Sequence, residues 1–378
     1  MDRRQLLVAG AAFFAGCTGG EPDPATGDAE TRTTTAGETT AAETSATTRT
    51  TTETETTTTE TTETETERTT ETKKPNENLV EARDALRTAF ELYTSNAKSS
   101  DAEVSILDVN VASGGFPRSK MNVRLKEARD ALGDAGETAT DEEKRTISEL
   151  RDVAQFLELA SYVDLYLGRS YRHFRKLVSK LYEGEYRNAK IVREEMVEDR
   201  RKADDYRWKV GKKTDAASAD ATDLFTKSEY EKKVKQVQRS VGNVKTLESL
   251  AEKLVDGFER FSDANDRYDS GSYNDAASSY YRAGNLLEDV SDTLSNAGLV
   301  DPLSTKTERL TCVLDALVEA TEHMEEAAEA QERVENADDA DERRSARDDA
   351  QRAERDARDA AESCDEVSKT IAVVENLG

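Results

Sequence analysis

The sequence predicts an all-α fold, either a helical bundle or a run of helical hairpins, carried on an N-terminal disordered stalk. Three observations predict it. No proline falls between Arg118 and Asp301, and alanine, leucine, glutamate, arginine and lysine dominate that stretch. Apolar residues recur there at helical spacing, as in Phe156, Leu159, Val163, Leu167, Phe174, Leu177 and Leu181,. No run alternates apolar and polar residues as a strand would, and no strand–helix–strand rhythm is present.

The first twenty residues read as an address rather than as part of the fold. Leu6 to Gly16 is a run of eleven apolar or small residues. A membrane-spanning helix needs roughly 20, so the run suits a signal-peptide core behind the charged Arg3 and Arg4. Arg3-Arg4-Gln5-Leu6-Leu7 followed by Phe14-Ala15-Gly16-Cys17 resembles the twin-arginine lipoprotein signals of haloarchaea. That resemblance implies export directed by Arg3 and Arg4, a signal peptide over 1–16, and a mature chain that begins at Cys17 with lipid on its sulfur. It places the protein on the outer face of the cell membrane.

The stalk follows, over 17–75. Residues 31–72 contain 24 threonines in 42 positions, interleaved with glutamate. Almost nothing there can be buried, so burial cannot offset the entropy of ordering, and a disordered linker is expected. Glu21 to Pro75 would span about 40 Å as a free coil and up to about 180 Å extended. Threonine tracts of this kind resemble O-glycosylated stalks, while no Asn-x-Ser/Thr sequon occurs in the chain. The whole chain carries 79 acidic against 53 basic residues, a net charge of −26. High-salt proteins share such an excess, whose self-repulsion fades as the Debye length shrinks to about 3 Å in molar salt. An acidic protein of ordinary salt is the plain alternative. Either way nucleic acid is a poor partner, because a phosphate backbone wants a basic face.

The head runs from about Asn76 to Gly378, divided into a helical domain over 76–300 and a helical hairpin over 301–378. Joints are expected within 110–120, 133–143, 212–220 and 296–304, giving about eight helices. A second stripe is Leu247, Leu250, Leu254, Phe258, Phe261 and Tyr268. Two further joints share a signature, Gly184-x-Tyr186-x-x-Ala189 and Gly271-x-Tyr273-x-x-Ala276, the latter followed by Tyr280 and Ala283. The glycine permits a tight turn, and the alanine permits close helix approach. The second signature resembles the latter half of a tetratricopeptide repeat. The first is weaker, since Arg193 stands where the aromatic should be, and the two lie 87 residues apart, which is no multiple of a 34-residue period. An ordinary pair of helix–turn–helix joints in a bundle remains the alternative.

In 301–378 the two remaining cysteines, Cys312 and Cys364, have their midpoint at residue 338, inside the helix-start sequence Glu335–Glu342,. An antiparallel hairpin turning there sets the cysteines opposite each other, Ala316 against Ala360, His323 against Ala353 and Ala330 against Ala346. Ala346, Ala350, Ala353, Ala357, Ala360, Cys364, Val367, Ile371 and Val374 form an a/d seam, predicting a coiled-coil-like pairing,. Leu310, Leu314, Leu317, Thr321 and Met324 form a separate stripe facing the rest of the head. A Cys312–Cys364 disulfide follows from this register and from an oxidising exterior.

Chemistry-bearing patterns are sparse, and no enzyme is expected. His173 and His323 are the two histidines, and neither sits in a metal-ligand spacing. Gly211-Lys212-Lys213-Thr214 follows no strand and lacks the upstream glycine of a phosphate loop. Neither a catalytic group, a cofactor site nor a metal site is predicted. One stretch could bind a partner: residues 168–213 hold 15 basic against 8 acidic residues, with aromatics interleaved. Arg169, Arg172, Arg175, Lys176 and Trp208 are the candidate partner-binding residues, suited to anionic lipid headgroups, acidic sugars or an acidic protein. The plainer reading pairs this stretch with acidic helices of the same head. Two function classes result: a surface-anchored lipoprotein presenting a helical interaction scaffold, and a ligand-binding lipoprotein serving a membrane transporter.

Overall fold

The computed structural model describes residues 76–97, 104–113, 115–297, 299 and 303–364. Arg3, Arg4, Cys17, the signal peptide, the stalk and the seam residues Val367, Ile371 and Val374 lie outside the described residues. Within them the fold is all-α. Eight α-helices follow in order: α1 Glu77–Thr94, α2 Arg118–Thr138, α3 Asp141–Tyr182, α4 Tyr186–Lys213, α5 Lys227–Asp269, α6 Tyr273–Asn296, α7 Leu303–Asn336 and α8 Ala340–Glu362. Two 3-10 turns, Ile106–Asp108 and Ala216–Ala221, lie between α1 and α2 and between α4 and α5.

Each helix packs chiefly on its neighbours in the chain, from α1 on α2 through to α7 on α8, with α3 also on α5 and α1 on α3. The head is thus a serial stack. One apolar core runs through it from Leu79 to Cys364, and a smaller cluster gathers Phe261, Ala276, Tyr280, Ala283, Met324 and Ala357. Both predicted stripes are inside: all seven members of the α3 stripe are buried, as are five of the six on α5, with Tyr268 packed against the smaller cluster.

The joints repeat. Thr140 and Thr226 each cap a long helix with a reciprocal box, bonding the backbone of Glu143 and Glu229 while those carboxylates bond back,. At the far ends Gly184 and Gly271 take φ of 69° and 80°. Their amides donate to Leu181 and Tyr268, and the next amides, of Glu185 and Ser272, donate to Lys180 and Arg267. That is one Schellman turn built twice, and the left-handed φ explains the glycine. Tyr273 packs edge-on against Tyr268 across the second turn, ring centroids 5.4 Å apart, and Ala189 and Ala276 are fully buried at the start of the returning helices.

The core positions repeat at the same offset. Leu150 and Val237, Leu157 and Val244, Leu167 and Leu254, Tyr171 and Phe258, and Phe174 and Phe261 are all buried, each pair 87 residues apart. The spacing between the two glycine signatures is therefore the length of one unit, a long helix, a glycine turn and a shorter returning helix. The likeness to a tetratricopeptide half-repeat is confined to the turn and the residues just after it. A 43-residue α5 alone exceeds the 34 residues of such a repeat.

The C-terminal hairpin turns at 337–339, with Asp339 capping α8 through the amides of Asp341 and Glu342. Cys312 and Cys364 are disulfide-bonded, their Cα atoms 6.0 Å apart. Ala316, Ala330, Ala346, Ala350, Ala353, Ala357, Ala360 and Cys364 are buried, and so are Leu310, Leu314, Leu317, Thr321 and Met324. One difference from the expected seam is that α8 ends at Glu362, so Cys364 stands just beyond the cap Ser363 rather than within the helix. His323 stays partly exposed, its Nδ1 3.4 Å from Glu326.

A polar centre lies inside the N-terminal half. Lys233 Nζ contacts Asp164 Oδ2 at 2.8 Å and donates to the Val109 carbonyl at 2.6 Å. The Tyr93 hydroxyl donates to the same Asp164 oxygen, and Gln236 Nε2 donates to the Leu107 carbonyl. These bonds pin the irregular segment 104–113 between α3 and α5. Burial pushes the Lys233 ammonium pKa down, with Asp164 pulling it back up.

Candidate functional site: a ladder of tyrosines and cations

On α3, Tyr162 and Tyr166 stand one helical turn apart, on a face flanking the buried Val163 and Leu167,. The glycine turn folds α4 back antiparallel, which brings Tyr206 onto them. The Tyr162 and Tyr206 rings are parallel within 1°, centroids 4.2 Å apart. Tyr166 joins at 6.2 Å from Tyr162 and 5.8 Å from Tyr206, each tilted by 15°.

Four cations sit over these rings. The Arg118 guanidinium, at the first turn of α2, lies 3.4 Å from the Tyr162 centroid. Lys209 Nζ is 4.5 Å from the Tyr206 centroid, and Arg169 and Lys202 are 5.7 and 5.6 Å from that of Tyr166. Each such contact contributes about 0.5–1 kcal/mol at an exposed site. Lys202 is also held by Glu198 at 2.6 Å. Arg118, Arg169 and Lys209 form no ion pair among the described residues, and Arg118 Nε and Nη2 are enclosed without a hydrogen-bond acceptor. Burial, then the neighbouring phenols Tyr162 and Tyr166, pushes the Tyr206 hydroxyl pKa up.

The candidate partner-binding residues do not converge. Arg169 belongs to the ladder, and Arg172 and Lys176 are exposed further along α3, with Arg175 half-buried beside Tyr171. The α3–α4 register is set by Tyr162 facing Tyr206 and by His173 Nδ1 lying 3.2 Å from Glu195. It puts Trp208 near the level of Ala160, about 14–24 Å along the axis from Arg169–Lys176 at roughly 1.5 Å per residue. Trp208 is 56% exposed. Much of the remaining positive charge on α4 is spent on α5: Lys190 pairs with Glu259 at 2.7 Å, Arg193 with Glu252 at 3.3 Å and Arg200 with Glu248 at 2.7 Å.

The ladder was only partly visible beforehand. The i, i+4 spacing of Tyr162 and Tyr166 beside Arg169 was the available signal. Arg118 arrives from the start of α2, 44 residues before Tyr162, and carried none.

His173 also has Nε2 3.4 Å from Asp199. Among the described residues no group of histidine, cysteine and carboxylate side chains could hold a metal ion, and no helix is long and apolar enough to cross a membrane. A separate cavity of about 860 Å³ opens between the end of α1, Ser105 and the segment Ala219–Glu229, with Phe90 and Phe225 in its wall. Compared with known proteins, the chain matches no family model, no curated protein and no solved structure.

Proposed function

We propose that the protein is a lipid-anchored cell-surface protein whose all-α head serves as a non-catalytic binding scaffold. The anchor reading rests on Arg3-Arg4 and the Phe14–Cys17 lipobox. The scaffold reading is carried by one observation, the serial stacking of eight helices on their chain neighbours. Such quasi-one-dimensional stacks expose long continuous faces, and their end helices need a polar outer side. Here α8 supplies it: Ala346, Ala350, Ala353, Ala357 and Ala360 are buried while its arginines, with Asp341, Asp348 and Asp359, are exposed.

A ligand-binding lipoprotein serving a transporter is the second reading, and the 860 Å³ cavity is what favours it. The two readings separate on the ligand: a small solute in the cavity, or a macromolecule on a helix face.

The anchor is tested by Cys17→Ser. Expected is loss of the lipid mass on the mature N-terminus and release of the head from membranes. One acyl chain alone would hold only marginally, at about 0.8 kcal/mol per buried CH₂, so stable retention of the parent points to a two-chain lipid. A Cys17→Ser protein that stays membrane-bound with unchanged processing sinks the anchor reading.

A further inference from the structure

We infer that the tyrosine and cation ladder is a docking surface for an anionic polysaccharide, a hydroxyl-rich chain carrying carboxylate or sulfate groups. On α4, Lys190, Arg193 and Arg200 are neutralised by the acids of α5. Arg118, Arg169 and Lys209 are held instead by the ring faces of Tyr162, Tyr166 and Tyr206. A ring face positions a cation without neutralising it, so three fixed positive charges remain along one side of the α3–α4 pair. Arg118 in addition keeps two donors without an acceptor. Guanidinium–carboxylate and guanidinium–sulfate pairs are the strong charge-assisted ones.

The chemistry of the surroundings selects among anions. Insertion into a membrane and the core of a protein interface both bury exposed apolar side chains. The large apolar side chains that are exposed, Val80, Val123, Ile191, Trp208 and Tyr281, include no member of the ladder. Trp208 is two residues from Tyr206 and therefore about 200° around the helix from it. What the ladder offers are positive charges held on ring faces along a helix pair, with no exposed large apolar side chain among its members. Those are the complements of a linear anionic sugar chain. Net repulsion from the acidic remainder of the head is screened beyond about 8 Å at ordinary ionic strength.

The inference rests on reading the head as a binding scaffold, but its test uses purified chain and is independent of anchoring. Fluorescein-labelled polygalacturonate and dextran sulfate are titrated with the full chain, and anisotropy is followed with neutral dextran as competitor. The triple variant Arg118→Gln, Arg169→Gln, Lys209→Gln is expected to lose affinity by about tenfold or more, while the matched triple Lys232→Gln, Lys235→Gln, Arg239→Gln on the exposed face of α5 loses less than about twofold. Lys209→Gln alone, which leaves Arg118 seated on Tyr162, keeps the test valid should the triple not fold, with a loss of about threefold expected. Equal losses from both triples, equal competition by neutral dextran, or no binding of either polyanion overturns the proposal. So does binding only to phosphatidylglycerol vesicles, which would make the face a membrane contact. Failure here leaves the Cys17 result untouched.

Discussion

Lys233 Nζ and Asp164 Oδ2 meet 2.8 Å apart with side chains only 1% and 5% exposed. The pair joins α5 to α3; through the Val109 carbonyl it also holds the segment between α1 and α2, and through the Tyr93 hydroxyl the last turn of α1. Desolvating two charges costs several kcal/mol per ion, which the pairing and the two extra hydrogen bonds offset. Breaking it from one side is therefore the harsh change. Asp164→Ala is expected to lose about 3–5 kcal/mol at neutral pH in chemical denaturation. The lysine left behind is driven further down in pKa, so the unfolded chain binds more protons and the variant regains stability as pH rises from 7 toward 10. Asp164→Leu with Lys233→Met removes both charges and should recover most of the loss, leaving about 2 kcal/mol for the unpartnered Tyr93 hydroxyl and Val109 carbonyl. A double variant no better than Asp164→Ala refutes the offset.

Gly271 tests the turn without touching the packing. Its φ is 80°, and nothing lies within 4 Å of where a Cβ would stand. Gly271→Ala should cost about 1–2 kcal/mol from the left-handed conformation alone, and Gly271→Asn noticeably less. Urea midpoints should shift with an unchanged m-value. An alanine variant as stable as the parent would mean that the turn rearranges.

The Cys312–Cys364 bond closes a loop with a sequence separation of 52. On the chain-entropy account its reduction should cost up to about 4 kcal/mol. Helix content should fall little, because Leu310, Leu314, Ala353 and Ala357 keep α7 and α8 buried without it. Far-UV ellipticity and thermal melting, with and without reductant, separate the two effects. Oxidised protein with two titratable thiols at these positions contradicts the bond.

The helices and most joints were legible because their signals are local. Phe156 to Leu181 keep one period, Thr140 and Thr226 are followed three residues later by glutamate, and the cysteine midpoint falls on the α7–α8 turn. The end of α1 was not legible: Ser95 to Asn110 contains neither glycine nor proline to mark it. The 87-residue unit was hidden because the two copies share burial rather than identity, with Arg193 where the second copy has Tyr280. Arg193 is accommodated by an ion pair with Glu252, whereas Tyr280 is fully buried. The polar centre and the ladder escaped for a different reason. Lys233 and Asp164 are 69 residues apart, and Arg118 reaches Tyr162 from 44 residues away, so only tertiary packing pairs them.

Alkaline pH should unfold the head cooperatively, and the sign follows from its buried phenols. Tyr93 and Tyr280 are almost completely buried, and burial raises both hydroxyl pKa values, with the Asp164 carboxylate adding to the rise at Tyr93. Their hydrogen bonds run outward, from Tyr93 to Asp164 and from Tyr280 to Asn265 at 2.6 Å, so ionisation would also remove the donors. A raised folded pKa gives stability that is complete below the unfolded value of about 10 and is lost as pH climbs above it. Each of the two phenols should contribute a loss of about 1.4 kcal/mol per pH unit there. Lys233 works the other way, since its pKa is lowered in the fold. Between that lowered value and about 10.5 it returns about 1.4 kcal/mol per unit, which cancels one phenol at most. The net slope above pH 10.5 is therefore steeper than just below it. Tyr280→Phe should flatten the slope by about 1.4 kcal/mol per unit, at a cost near 1 kcal/mol at neutral pH for the lost hydrogen bond. Phenolate absorbance near 295 nm, followed with ellipticity, decides the matter. If all the tyrosines titrate before any helix is lost, these two are not shielded and the packing around α1 and α6 is looser than described.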